Sequence, residues 1–323
     1  MDYRHHFTTL SATQKAIYET FSKKFTSCSS VIKLPLVHLN EIGIAFEALT
    51  LDNPWMIQSD LSYQYTKDLN KKVLTIQPEY DFTKKDIARH QAIISASLDF
   101  VDAVKQKNDF EKVKFVHDYI LNTVQYSFSQ EAYSALGIAL NKAGVCVGIA
   151  KYVKLALDRL LLKSIVVTGR AINPSFEQDE REEHAWNMVE IDGEWFYLDV
   201  TFDLTLKHNI NRYDYFLVGN KDINVSHTTA NRLPLASAAA SDYYTKNGLI
   251  ASDLATLGKL IYATVSKGRT LMQFRLLNAN SIQDPCSKIL QVVGNQCQRI
   301  YKREFSMEIR YNSALWIFEI EIK

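Results

Sequence analysis

Hydrophobic and polar positions follow a similar order near the two ends of the chain. The segment IYETFSK at 17–23 is echoed by IYATVSK at 261–267. Each copy precedes an apolar strand pattern, a helical pattern and two further strand patterns. These patterns lie at 31–36, 39–48, 61–65 and 73–76 in the first copy, and at 271–276, 282–293, 305–311 and 315–322 in the second. We therefore predict two similar α-β-α-β-β units, at 1–80 and 246–323, the second a candidate repeat of the first; two unrelated helix–strand segments are the alternative.

The region between these units, 81–245, is predicted to be a separate middle domain that begins with helices. Over 109–126 the apolar residues Val113, Val116, Ile120 and Val124 fall on one helical face. His117 lies beside this stripe. We interpret it as a core residue rather than as a ligand.

A further helix is predicted at 145–160, and Cys146 lies at its start. Cys146, Ile149 and Val153 belong to one apolar stripe, so this helix face should be buried. The N-terminus of a helix favours the thiolate form of a cysteine, which is the nucleophilic form. Gly144 and Gly148 flank the cysteine with little bulk, so a substrate backbone could approach the sulfur. The alternative is that Cys146 is a small buried hydrophobic residue.

A β-hairpin is predicted after this helix. Two strand patterns, at 184–190 and 195–201, are joined by Asp192-Gly193, which favours a two-residue type I′ turn. This turn pairs Ile191 with Glu194 and thereby fixes the register of the two strands.

Counting outward from the turn brings a histidine and an aspartate together. The register places Trp186 opposite Asp199 and His184 opposite Thr201, so His184 and Asp199 are diagonal neighbours on one face. A carboxylate in this place can accept the imidazole N–H and support an imidazolium. Asp203 would be the other diagonal neighbour if the pairing continued past Thr201. We prefer Asp199, which lies more securely inside the hairpin.

Five short motifs occur in a fixed order in the middle of the chain. They are GVCVG at 144–148, TG at 168–169, HAWN at 184–187, DGEW at 192–195 and LDVTFD at 198–203. Together they resemble the bacterial transglutaminase-like domains of the papain-like cysteine enzyme superfamily, over residues 100 to 235. The resemblance implies an α+β fold with a papain-like transglutaminase core. In that core the helix bearing the cysteine packs on an antiparallel sheet bearing the histidine and aspartate, here with flanking α/β units.

The resemblance also implies a catalytic triad and a reaction. Cys146 is expected as the nucleophile, His184 as the base and then the acid, and Asp199 as the residue that orients His184. Acyl transfer or amide hydrolysis would proceed through a thioester, on a protein or peptide substrate. Transglutaminase, deamidase and peptidase activities share this triad, and the sequence does not separate them.

The oxyanion site is less well defined. Its first donor is expected to be the Cys146 backbone N–H. Many relatives carry a polar residue after the cysteine, whereas this chain has Val147. Tyr126 and Tyr133 are candidates for a second donor. Trp186 is a candidate wall of the acyl channel or, equally, a core aromatic residue.

Composition excludes several other functions. The 37 Lys and Arg residues nearly balance the 36 Asp and Glu residues, so no nucleic acid or anionic membrane partner is predicted. No signal peptide or transmembrane pattern is seen, and four cysteines without a CxxC pair are typical of a cytoplasmic protein. No cofactor and no metal are expected, because the common nucleotide-binding and metal-binding motifs are missing. Oligomeric state is not predicted.

Two alternatives compete with the enzyme hypothesis. The first is a non-catalytic protein-binding module that has kept the fold. The second is a metal site formed by Cys146 and His184 with His208 or His227, although no common ligand spacing supports it. The charged run 178–183, which precedes His184, is interpreted as a solvated loop at the rim of the site.

Overall fold

The computed structural model describes residues 3–57, 61–129, 131–174, 180–237, 241–301 and 304–323. Within these ranges, helices and strands form three consecutive groups, and most of the buried apolar side chains of each group belong to one core. The fold mixes helices with mainly antiparallel sheets, as expected for the α+β class. None of the described helices has the length and apolar character needed to cross a membrane.

The first group combines three helices with a three-stranded antiparallel sheet of order β1-β3-β2. Its elements are α1 (His5–Thr9), α2 (Ala12–Thr26), β1 (Ile32–Pro35), α3 (Leu39–Asp52), β2 (Tyr63–Asp68) and β3 (Val73–Pro78). Ser11 and Gln14 form a capping box at the start of α2. Phe21 and Phe25 of this helix are fully buried and share a core with Leu74 of β3.

The middle group begins with helices. They are α4 (Lys84–Ser97), α5 (Asp109–Thr123), α6 (Ala135–Asn141) and α7 (Cys146–Arg159), with a 3-10 helix at Asp99–Val104. Two short strands, β4 (Gln125–Tyr126) and β5 (Ala143–Gly144), pair in parallel. Helix α5 therefore ends at Thr123, although its pattern predicted a helix to Tyr126. The prediction was wrong because the pairing of β4 with β5 joins residues that are distant in sequence.

A five-stranded sheet of order β10-β6-β7-β8-β9 completes the middle group. Its strands and the helices between them are β6 (Ser164–Ala171), β7 (Glu182–Ile191), β8 (Glu194–Leu198), α8 (Val200–Leu206), β9 (Phe216–Val218), α9 (Asn220–Ile223) and β10 (His227–Thr228). Helix α7 packs against β6 and β7. Ile149, Val153 and Leu157 of α7 are buried, as the apolar stripe predicted.

The last group forms a four-stranded sheet of order β11-β12-β14-β13 with two long helices. Its elements are α10 (Tyr243–Lys246), β11 (Ile250–Ala251), α11 (Leu254–Val265), β12 (Leu271–Leu276), α12 (Pro285–Tyr301), β13 (Met307–Asn312) and β14 (Ile317–Ile322), with a 3-10 helix at Ala279–Ser281. Leu257 and Ile261 of α11 share a core with Val293 of α12 and Phe274 of β12.

The two terminal groups have the same element order. In the first, α2, β1, α3, β2 and β3 follow one another, and in the last, α11, β12, α12, β13 and β14 do so. In both sheets the final strand lies between the other two of these three strands. This common topology supports our proposal that 1–80 and 246–323 are related units flanking a domain at 81–245.

Candidate functional site

Cys146 is the first residue of α7, and its side chain is partly exposed. No side chain caps this helix start, where Val145 is the N-cap residue. The thiol therefore lies beside backbone N–H groups that have no partner within the helix. Such a position favours a negative charge on sulfur.

The two glycines around Cys146 pack against neighbouring segments of the chain. A Cβ atom on Gly148 would lie 2.1 Å from the carbonyl oxygen of Ala132, and one on Gly144 would lie 2.7 Å from Cδ1 of Ile138. The space that we expected to remain for a substrate backbone is thus filled by neighbouring segments. These glycines allow the segment before α6 to pack against the start of α7.

Tyr126 lies next to the cysteine because β4 pairs with β5, which places Tyr126 opposite Gly144. The tyrosine side chain is still 40% exposed. Burial, together with the negative charge of Cys146, raises the pKa of Tyr126 to about 12, while the Cys146 backbone N–H offsets part of the rise. The hydroxyl therefore stays protonated at neutral pH beside that N–H group. Tyr133 is more exposed, at 57%.

His184 lies on β7 opposite Gly169 of β6. Its Nε2–H donates to Oδ2 of Asp199 at 2.7 Å. Burial alone would lower the pKa of His184, but the Asp199 charge and hydrogen bond, followed by those of Cys146, raise it to about 9. Since Nε2 is bound to Asp199, Nδ1 is the ring nitrogen left to face Cys146.

The predicted turn and register are found, but the hairpin is shorter than expected. Asp192 and Gly193 both have positive φ, and Ile191 pairs with Glu194. Pairing ends at Asn187 opposite Leu198. The expected pairs of Trp186 with Asp199 and of His184 with Thr201 are therefore wrong.

Asp199 contacts His184 from the start of a helix and not from a paired strand. It is the N-cap residue of α8, and its Oδ1 accepts the backbone N–H of Phe202 at 3.0 Å. The backbone N–H of Asp199 donates to the carbonyl oxygen of Tyr215. The chain thus turns into a helix directly after Leu198, and the buried Asp199 side chain caps that helix.

The carboxylate of Asp199 is fully buried and remains charged. Burial would raise its pKa, but the positive charge and hydrogen bond of His184, with a further bond from His227, hold it well below its usual range. His227 donates from Nε2 to the same oxygen, Oδ2, at 2.9 Å. No local sequence pattern links this second imidazole to Asp199, because His227 lies on β10, far along the chain.

Asp203, the second candidate from the sequence, binds elsewhere. Its Oδ2 lies 3.0 Å from Nε2 of His117, and its Oδ1 accepts the backbone N–H of Tyr215. Both members of the His117–Asp203 pair are fully buried. His117 is thus a core residue with a carboxylate partner, as its place on α5 suggested.

Trp186 is 2% exposed and lies in the core of the middle group. Its ring stacks on His184 at 5.8 Å and meets His227 edge-on at 4.8 Å. Phe202 also packs against His184, with ring centroids 4.4 Å apart. These contacts favour a packing role for Trp186, in which it fixes the plane of the imidazole.

The surroundings of the site combine apolar and acidic side chains. Cys146 and Val147 pack against a small buried cluster that includes Leu51 of α3, so the first group borders the cysteine. A pocket of about 70 Å³ opens beside His184 and is lined by Tyr126 and by residues 182 and 183, both glutamates. Residues 178 and 179 of the charged run lie outside the described residues.

One group of potential metal ligands occurs among the described residues. Ligand atoms of His184, Asp199 and His227 lie within 4.8 Å of one another. The two Nε2 atoms and the carboxylate are already joined by hydrogen bonds. His208 is exposed and lies near Glu308, so it does not belong to this group.

Comparison with protein families agrees with the motifs. Residues 99–200 match the family model of the transglutaminase-like superfamily. This range contains Cys146, His184 and Asp199 but neither Asp203 nor His227. The middle of the chain is therefore similar to transglutaminase-like proteins, and the resemblance proposed from the sequence is confirmed.

Solved structures with partial similarity include a TGase, with a TM-score of 0.32 and 16% identity over 48% of this chain and 47% of that chain. A provisionally assigned cysteine protease from Cytophaga hutchinsonii has a TM-score of 0.29 and 17% identity, over 43% of this chain and 61% of that one. A provisionally assigned protease from Parabacteroides distasonis has a TM-score of 0.25 and 14% identity, over 42% and 35%. The chain thus spans less than two thirds of each of these proteins. No curated protein matches it in sequence.

Proposed function

We propose that this protein is a transglutaminase-like cysteine enzyme that transfers or hydrolyses the acyl group of a protein or peptide amide. Cys146 is the nucleophile, His184 the acid and base, and Asp199 the residue that orients His184. The observation that carries the proposal is the 2.7 Å bond from His184 Nε2 to Asp199, which leaves Nδ1 for Cys146 at the start of α7.

The protonation states of the site suit this chemistry. With a pKa of about 9, His184 is an imidazolium at neutral pH. An adjacent imidazolium favours the thiolate of a cysteine, which is the attacking form. Asp199 keeps the ring oriented and stabilises its positive charge.

The proposed reaction has two steps, formation of an acyl enzyme and its breakdown. The Cys146 thiolate attacks the amide carbonyl carbon, and the imidazolium of His184 gives its proton to the departing ammonia or amine as the C–N bond breaks. A thioester and a neutral imidazole result. Water or an amine then attacks the thioester and loses a proton to His184, and the thiolate leaves as the product forms.

The oxyanion formed in each step needs hydrogen-bond donors. The Cys146 backbone N–H is assigned as the first donor, because no residue of α7 uses it and a bound oxyanion would replace the Tyr126 oxygen that it faces. We assign the second to the Tyr126 hydroxyl, which lies beside that N–H and, with a pKa raised to about 12, stays protonated at neutral pH. Tyr133 lies farther out and is assigned to substrate contact.

Alkylation tests the proposal without knowledge of the substrate. In the folded protein at neutral pH, iodoacetamide should label Cys146 about tenfold faster than Cys28 and Cys286, two further partly exposed cysteines. Peptide mapping by mass spectrometry gives each rate, and the denatured protein shows the rate without structure. The variant His184→Gln should remove most of the advantage of Cys146.

Two outcomes would contradict the enzyme hypothesis. Cys146 could label no faster than Cys28 and Cys286, or its labelling could be unaffected by His184→Gln. Either result would leave the non-catalytic binding module as the better interpretation.

The acyl acceptor requires a separate experiment. The protein is incubated with a glutamine-rich protein and a labelled primary amine, and the products are identified by mass spectrometry. Amine incorporation, a gain of one acid group or chain cleavage would assign transglutaminase, deamidase or peptidase activity, respectively. The variant Cys146→Ala is the control and should form none of these products.

A further inference from the structure

The second imidazole at Asp199 is brought there by a close approach of two strands. His227 lies on the edge strand β10, opposite Ala171 of β6. A Cβ atom on Gly169 would lie 2.1 Å from the carbonyl oxygen of Thr228 and 2.9 Å from Cη2 of Trp186. The chain can pass over β6 at this point because residue 169 has no side chain.

His227 and His184 bind the same carboxylate oxygen. Oδ2 of Asp199 accepts from Nε2 of His184 at 2.7 Å and from Nε2 of His227 at 2.9 Å. Oδ1 accepts the backbone N–H of Phe202. Asp199 thus receives three hydrogen bonds in a site where it and His227 are buried.

The other side of His227 is also fully engaged. Its Nδ1 lies 2.8 Å from the hydroxyl of Ser226, and the backbone carbonyl of Ile223 is nearby. Phe202 and Tyr215 pack against its ring at 4.8 and 5.4 Å. The ring is therefore held in one orientation.

These surroundings keep His227 neutral. Burial lowers the pKa of His227, and the positive charge of His184 acts in the same direction, against the opposing effect of Asp199. A neutral imidazole carries one N–H. Because Nε2 faces an ionised carboxylate, which can only accept a hydrogen bond, we assign the proton to Nε2. Nδ1 then accepts from the Ser226 hydroxyl, which also lies 3.2 Å from the Tyr215 hydroxyl.

We propose that His227 is a positioning residue. It holds the Asp199 carboxylate through its Nε2–H and weakens the electrostatic attraction between that carboxylate and the His184 imidazolium. The proposal rests on the proposed function, in which His184 must both donate and accept a proton. A carboxylate bonded to His184 alone would hold the imidazolium more tightly and make it a weaker acid. A neutral second donor reduces the stabilisation of the His184 imidazolium by Asp199, and it does so without adding a positive charge.

The proposal predicts how two variants shift the titration of His184. In His227→Leu the Asp199 carboxylate loses a donor, so the pKa of His184 should rise by about one unit. In His227→Gln a side-chain N–H replaces the imidazole donor, and the pKa should return most of the way to the wild-type value. A role in packing alone would give similar values in wild type and both variants.

The measurement is NMR titration of the full chain with isotope-labelled histidine, with the His184 signal assigned by its loss in His184→Gln. An unchanged midpoint in His227→Leu, or an equal shift in His227→Gln, would overturn the proposal. Because the readout does not need turnover, it is independent of whether the protein proves to be an enzyme.

The wild-type protein provides a test that does not depend on the folding of any variant. The ring nitrogen shifts of His227 at pH 7 should show a neutral imidazole with its proton on Nε2. An imidazolium, or a proton on Nδ1, would contradict the assignment, since His227 could not then act as a neutral donor to Asp199.

Discussion

The middle group contains the histidine–aspartate pairs His117–Asp203 and His184–Asp199, and their surroundings differ. His117 and Asp203 are both fully buried, and His117 packs against Tyr213 and Phe216. His184 keeps 8% of its side chain exposed and faces Cys146. The difference in exposure agrees with our proposal that the second pair exchanges a proton with a bound molecule and the first does not.

Substitution of the two aspartates should show this difference. Asn keeps the helix-capping oxygen at position 199 but loses the charge. We expect Asp199→Asn to slow the alkylation of Cys146 about tenfold or more, because the imidazolium loses its partner. Asp203→Asn should leave that rate within about twofold and lower the free energy of unfolding by about 1–3 kcal/mol.

Both variants are measured by iodoacetamide labelling and by urea unfolding. Equal slowing of Cys146 in the two variants would mean that the aspartates act through the general stability of the sheet. The assignment of Asp199 as the orienting residue would then be wrong.

At the level of elements, local signals were predictable and long-range ones were not. The Asp192-Gly193 dipeptide predicted the register of the β7–β8 hairpin, and the apolar stripe that begins at Cys146 predicted α7. The helix cap at Asp199 was missed because an aspartate within an alternating pattern also suits a strand end. The contacts of Tyr126 and His227 with the site depend on the pairing of distant strands, which periodicity does not report.

The close packing at the start of α7 leads to an element-level prediction. A Cβ atom on Gly148 would overlap the Ala132 carbonyl oxygen, so Gly148→Ala must displace either α7 or the segment before α6. We expect a loss of about 2–4 kcal/mol in the free energy of unfolding and slower labelling of Cys146.

Gly43 provides the matched control. It lies within helix α3, and nothing lies within 4 Å of the Cβ atom that an alanine would add there. Gly43→Ala should therefore be neutral or stabilise the protein by up to about 1 kcal/mol. A Gly148→Ala protein as stable and as reactive as Gly43→Ala would show that the start of α7 tolerates displacement.

At the scale of the whole molecule, the middle domain and the last group are joined by a buried polar network. Arg212 is 1% exposed and donates to Oδ1 and Oδ2 of Asp214 at 2.9 and 2.7 Å. It also lies 4.0 Å from Glu319 of β14. Gln273 of β12 donates to Glu319, and the Tyr244 hydroxyl donates to Asp214. The last group is therefore held to the middle group by specific polar contacts.

Removal of the arginine charge should loosen this junction. In Arg212→Met the side-chain volume is similar, but Asp214 and Glu319 lose their buried counter-ion. Removal of one charged partner from a buried ion network lowers the free energy of unfolding by about 3–5 kcal/mol. We expect a loss of this size in the free energy of unfolding by urea, with faster hydrogen exchange along β12 and β14 than along β7.

The control is Lys163→Met, which breaks an ion pair with Glu190. The lysine side chain of this pair is 46% exposed, so its loss should cost less than about 1 kcal/mol. Equal effects of the two substitutions would mean that apolar packing alone holds the last group in place, because the buried charges would then contribute no more than a surface pair.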